Sequence, residues 1–101
     1  MKGVAVLAVT AALAASFPAW AALDCSRAKT NAEKLICSNP RLAQADERMA
    51  LAFRGAIRRG ADPKVLMDTQ RTWNHDARDA CSEVECMLKA YEERISDLDS
   101  Y

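Results

Sequence analysis

From residue 31 onward, apolar side chains recur at steps of three and four, interrupted by short polar joints. That period belongs to amphipathic helices, because side chains three or four positions apart share one face. Thr30-Asn31-Ala32-Glu33 forms a capping box, and Ala32, Leu35 and Ile36 then share a face, which predicts a short first helix over about Asn31 to Cys37. Asn39-Pro40 restarts the chain with Asn as the cap and Pro in the first turn, where its missing N–H costs nothing. Leu42, Ala45, Met49, Ala52, Phe53 and Ala56 make the stripe of a second helix that stops at Gly60. Asp62-Pro63 repeats the cap-then-proline signal, and Leu66, Thr69, Trp73, Ala77 and Ala80 form a third stripe. Ser82 with Glu85 reads as another capping box, opening a last helix along Val84, Met87, Leu88, Tyr91, Ile95 and Leu98. No run reads as a strand. The expected fold is all-α, a small disulfide-bridged bundle of one short and three longer helices, whose short joints favour antiparallel neighbours.

Residues 1–21 follow a different pattern. Lys2 precedes an apolar run, Val4 to Leu13, that gives way to small residues and ends in Ala19-Trp20-Ala21. A positive charge, a short apolar region and an A-x-A site read as a cleaved signal peptide, and the run is too short to span a membrane. The mature chain is then expected to begin near Ala22, as one helical domain over residues 22–101, exported to the periplasm or secreted. Lipid-modified cysteines follow small residues, and Asp24 stands before Cys25, so no lipobox is read and no membrane insertion is expected after cleavage.

A domain of that size buries only about 60–65% of its unfolded surface, so covalent cross-links add needed margin. Cys25, Cys37, Cys81 and Cys86, in an exported chain, read as a disulfide framework. Three pairings exist. The local ones are favoured: Cys25–Cys37 would tie the N-terminal arm to the end of the first helix, and Cys81–Cys86 would lock the start of the last. The long-range pairings, which would join the chain ends, stay open. Zinc sites draw paired ligands from tight C-x2-4-C spacings, whereas eleven residues separate Cys25 from Cys37, an exported chain meets an oxidising compartment, and no C-x-x-C is present, so neither a metal nor a cofactor is expected.

Lys and Arg (14) balance Asp and Glu (14), which excludes the basic balance of a nucleic-acid binder. The two signs are unevenly spread. Residues 22–74 carry ten basic and six acidic side chains, and residues 75–101 carry three and eight. His75, the only histidine, has Asp76 and Asp79 nearby, but no nucleophile or second acid accompanies them, and a solvated pair is the expectation. Trp73 and Tyr91, at helical spacing on apolar stripes, are expected in the core rather than at a partner surface.

Taken in order, these residues resemble a known family. Asp24-Cys25, Glu33-Lys34-Leu35-Ile36-Cys37-Ser38, then Leu42, Asp46, Met49 and Phe53 are similar to the first half of the LprI-like domain, named for a bacterial lysozyme inhibitor. Gln70-Arg71-Thr72-Trp73, Arg78-Asp79-Ala80-Cys81, Cys86, Tyr91, Arg94-Ile95 and Leu98 are similar to the second half. The pattern departs in two places: Phe53 stands where an aromatic hydroxyl is common, and Arg78 follows Trp73 by five positions instead of four. The resemblance implies an exported, all-helical, cysteine-bridged module of envelope-bearing bacteria, of a kind that in some members binds and inhibits lysozyme.

Lysozymes of animals are basic, with two catalytic carboxyls in the cleft, so an inhibitor needs an attractive acidic surface and a group that enters the cleft. Glu83, Glu85, Glu92, Glu93, Asp97 and Asp99 meet the first need. Arg58, Arg59 or Lys64, around Gly60, would meet the second. The alternative is a periplasmic structural or interaction module for another protein partner. A small enzyme ranks last, since no catalytic set converges in the sequence.

Overall fold

The computed structural model describes residues 22–101, and the expected signal peptide lies outside the described residues. Within them, a 3-10 turn at Cys25–Arg27 precedes four α-helices: α1 Asn31–Ser38, α2 Pro40–Arg58, α3 Pro63–Trp73 and α4 Val84–Asp99. The described residues contain no strand. Both local disulfides are formed, Cys25–Cys37 and Cys81–Cys86, with Cα–Cα distances of 5.6 and 5.7 Å. The all-α bundle of one short and three longer helices is therefore the observed architecture. None of these helices is long and apolar enough to cross a membrane.

Local chemistry sets the helix starts. Thr30 Oγ1 accepts from the Glu33 amide at 3.0 Å, while Glu33 Oε1 accepts from the Lys29 and Thr30 amides at 2.8 and 3.1 Å. Amides with no partner inside α1 are thereby satisfied, and the two amides hold the Glu33 carboxyl below its ordinary pKa. Asn39 Oδ1 caps α2 by accepting from the Arg41 and Leu42 amides, and Asp62 Oδ1 caps α3 by accepting from those of Lys64 and Val65. Gly60, at φ 108°, takes the left-handed conformation that stops α2.

Two local expectations need correction. Ser82 does not cap α4. Glu83 occupies the cap position, and no side chain bonds the first free amides. That places Cys86 third in the helix, where its bridge to Cys81 ties down the first turn in place of a cap.

The third stripe also fails to run on as drawn. Beyond Trp73 the helix widens into a π turn, Asn74–Arg78, closed by a 2.9 Å bond from the Asp79 amide to the Asn74 carbonyl. In α geometry a residue five positions beyond Trp73 would lie about 140° around the axis, and the wider turn reduces that angle. Arg78 is consequently buried, Ala77 only half-buried and Ala80 exposed. The five-residue spacing from Trp73 to Arg78 thus has a physical form.

Cross-helix contacts give the topology. Trp73 of α3 meets Ala90 of α4 while Gln70 meets Arg94, so α3 runs antiparallel to α4, and Gln70 also meets Met49 of α2. The helices α2 and α4 run parallel. Arg41 lies opposite Glu85 and Arg48 opposite Glu92, an advance of seven residues on each helix. The core lies mainly between these two: Leu42, Ala45, Met49, Phe53 and Ala56 of α2 meet Met87, Tyr91 and Leu98 of α4, joined by Ile36 of α1 and Leu66 of α3.

Candidate interaction surface and the polar network beneath it

Many of the residues that carry the family resemblance are inside. Asp46 is only 4% exposed, and its carboxylate accepts from the Tyr91 hydroxyl at 2.8 Å and from the Leu23 amide at 2.7 Å. One side chain of α2 thereby fixes both α4 and the N-terminal arm. Burial, reinforced by the adjacent Asp46 charge, pushes the Tyr91 hydroxyl far above its ordinary pKa, so it remains a donor. Arg78 acts electrostatically on both Asp46 and Tyr91. Burial disfavours its charge, but Asp79, 2.7 Å from Nε, together with Tyr91 and Asp46 outweighs that and keeps the guanidinium protonated.

A second buried group joins the three long helices. Arg94 Nε donates to Gln70 Oε1 at 2.8 Å and its terminal nitrogen to Thr69 Oγ1 at 3.0 Å, while Gln70 Nε2 donates to Met49 Sδ at 3.1 Å. Trp73 seals the neighbouring side, with Nε1 3.3 Å from the Ala90 carbonyl and its ring edge-on to Tyr91 at 5.0 Å. Trp73 and Tyr91 thus serve the core, as their spacing predicts. The buried roles of Asp46, Gln70, Arg78 and Arg94 went unread in the sequence.

The residues expected to meet a partner are divided by the fold. Glu85 pairs with Arg41 at 3.0 Å and Glu92 with Arg48 at 2.9 Å, so α2 neutralises two of the six acidic residues expected to form the surface. These pairs line a shallow groove with Gln44, Leu88 and Lys89. Glu83, Glu93, Asp97 and Asp99 are exposed and form no ion pair among the described residues.

On the basic side, Arg59 is committed elsewhere. Its Nε donates to the Tyr101 carbonyl at 2.8 Å and its terminal nitrogen to that of Leu98 at 3.1 Å, satisfying carbonyls at the end of α4. Gly55 makes room for it, since a Cβ there would stand 3.0 Å from the Arg59 guanidinium. Lys64 pairs loosely with Asp68 at 3.9 Å, which leaves Arg58 exposed and without an ion pair among the described residues.

His75 is fully on the surface, with Nδ1 2.7 Å from Asp76 Oδ1, and this contact raises its pKa. Asp79 hydrogen-bonds Arg78 and reaches His75 only through its charge, which adds to the rise. The four cysteines are consumed in disulfides, which leaves no thiolate for a metal. What the surface offers chemically is charge on rigid helices. No protein-family model matches the chain, and no curated protein or solved structure shows significant similarity to it.

Proposed function

We propose that this chain is an exported, non-enzymatic protein that binds and inhibits a basic secreted hydrolase, lysozyme above all. The observation that carries the reading is the charge left on α4 and its cap after internal pairing: Glu83, at the cap, and Glu93, Asp97 and Asp99, along a disulfide-anchored helix, stand exposed and form no ion pair among the described residues. Carboxylates held on a rigid element attract a basic partner over roughly a Debye length, about 8–10 Å at moderate salt, and lose little conformational freedom when it docks. The resemblance to the LprI-like family supplies the target class. Of Arg58, Arg59 and Lys64 around Gly60, Arg58 is the one that forms no ion pair or helix-end hydrogen bond among the described residues, and it is the side chain proposed to enter a cleft lined by carboxyls. Export rests on the leader-like pattern of residues 1–21 and on two disulfides, which persist in oxidising compartments.

The test is lysis of a bacterial cell-wall suspension by a vertebrate lysozyme, with and without the oxidised protein, at low and at physiological salt. Inhibition at near-stoichiometric amounts is expected, weakening as salt rises. Glu93→Lys with Asp97→Lys should remove most of it while leaving the melting temperature within a few degrees, since exposed unpaired carboxylates contribute little to stability. No inhibition at large excess and low salt would eliminate lysozyme as the target.

A further inference from the structure

We infer that Cys81–Cys86 is a thiol–disulfide exchange site, open to a dithiol reductant while the rest of the fold stays intact, and that Cys25–Cys37 is a closed structural bond. Exposure alone does not separate them, because each bridge has one exposed and one half-buried cysteine. The surroundings do. Around Cys25 and Cys37 the chain is held by bonds that do not involve sulfur: Leu23 to Asp46, Ser26 to Asp24, and the Thr30–Glu33 capping box. If that bridge opened, its two thiols would stay adjacent, and a high effective concentration would close it again.

The Cys81–Cys86 joint is held only at its ends, where the Cys81 amide donates to the Arg78 carbonyl at 3.2 Å, Cys81 and Val84 pack against the core, and the Glu83 carbonyl accepts from the Met87 amide. Ser82 and Glu83 donate no hydrogen bond among the described residues, and α4 has no side-chain cap. Once cut, the Ser82–Glu83 segment between those ends has no side-chain cap to hold it and can carry the sulfurs apart, so reduction proceeds further for the same reductant.

Cys81 also has an approach. It lines a surface pocket of about 380 Å³ with Asn31, Leu35, Asp79 and Ser82, wide enough for an incoming thiolate. Its partner is placed to leave. Cys86 is third in α4, among free amides at the positive end of the helix, which stabilises a thiolate there. The carboxylates of Glu83 and Glu85 oppose this, but Glu85 is neutralised by Arg41.

The reaction balances with a dithiol as co-reactant. Its thiolate attacks Cys81 Sγ, the S–S bond breaks, and Cys86 departs with the electron pair as a thiolate. The second thiol of the reagent then displaces Cys81, leaving an oxidised reagent and, after protonation, two protein thiols. Two electrons pass from the reagent to the protein.

Limiting dithiothreitol on the oxidised protein, quenched with iodoacetamide at intervals and mapped after trypsin, tests this directly. Cleavage after Arg78 and Lys89 leaves Cys81 and Cys86 in one peptide, whereas Cys25 and Cys37 fall in two others. The 79–89 peptide should be labelled at least about tenfold sooner, with helical circular dichroism retained, and Arg41→Glu should slow it by a few fold. Equal rates, earlier labelling of Cys25 and Cys37, or labelling only as the helical signal collapses would each overturn the assignment.

Discussion

Tyr91 and Asp46 show how much one buried hydrogen bond decides. The phenol donates to a carboxylate that is 4% exposed and already serves the N-terminal arm. Tyr91→Phe should therefore cost about 1–3 kcal/mol in denaturant unfolding at neutral pH, because the buried Asp46 carboxylate loses a donor. The same pair dictates an alkaline limb. A hydroxyl whose pKa is raised on folding keeps its proton when the unfolded chain has lost it, so stability is complete below about pH 10 and falls as pH rises beyond. Thermal melts from pH 8 to 11 should show that fall for the native protein and a flatter one for Tyr91→Phe. Asp46, Gln70 and Arg94 were legible in principle. Asp46 stands four after Leu42, Gln70 four after Leu66, and Arg94 three after Tyr91 and four before Leu98, all on apolar stripes. What periodicity does not convey is which buried donor faces which buried acceptor, since those partners lie 24 and 45 residues apart.

The elements divide by what starts them. Asn39→Ala and Asp62→Ala should each cost about 1 kcal/mol, because each removes an oxygen bonded to two first-turn amides. Ser82→Ala should stay within about 0.5 kcal/mol, because that side chain caps nothing. Chemical denaturation of the three variants measures the contrast, and a cost for Ser82→Ala like that of the other two would restore the capping box that the fold lacks. The Glu33 carboxyl, held low by two backbone amides, adds an acid limb: its contribution is present above about pH 4.3 and is lost as pH falls through the lower folded value. Glu33→Gln should flatten melting temperature against pH between about 5 and 3. The caps of α1, α2 and α3 were readable because a cap is a contact between residues two or three apart. The π turn was not, since nothing within Asn74–Arg78 demands it. Arg78 gains its buried place beside Asp46 and Tyr91 only once α4 is packed.

For the whole molecule, the parallel pairing of α2 with α4 decides which charges remain available. Two exposed ion pairs contribute less than about 1 kcal/mol each, so Arg41→Gln with Arg48→Gln should scarcely move the melting temperature. The double variant would nevertheless unmask Glu85 and Glu92 along the acidic edge. If α4 meets a basic hydrolase, affinity measured by calorimetry at low salt should rise by a few fold, chiefly through faster association. Unchanged or weaker binding would move the contact off this helix. The N-terminal arm belongs to this scale too, because Leu23 reaches an α2 side chain 23 residues on.

Sequence by itself determined the elements. Helical periodicity, cap residues, prolines in first turns and Gly60 all act within a few positions, and with four cysteines they suffice for an all-α, disulfide-bridged bundle. Tertiary structure alone decided that α2 and α4 lie parallel, that Arg59 spends its donors on the end of α4, and that Glu85 and Glu92 are neutralised while Glu93 and Asp97 are not. The reason is range. Secondary structure answers to neighbours along the chain, whereas the availability of a surface charge depends on which distant side chain the packed core brings within 3 or 4 Å of it.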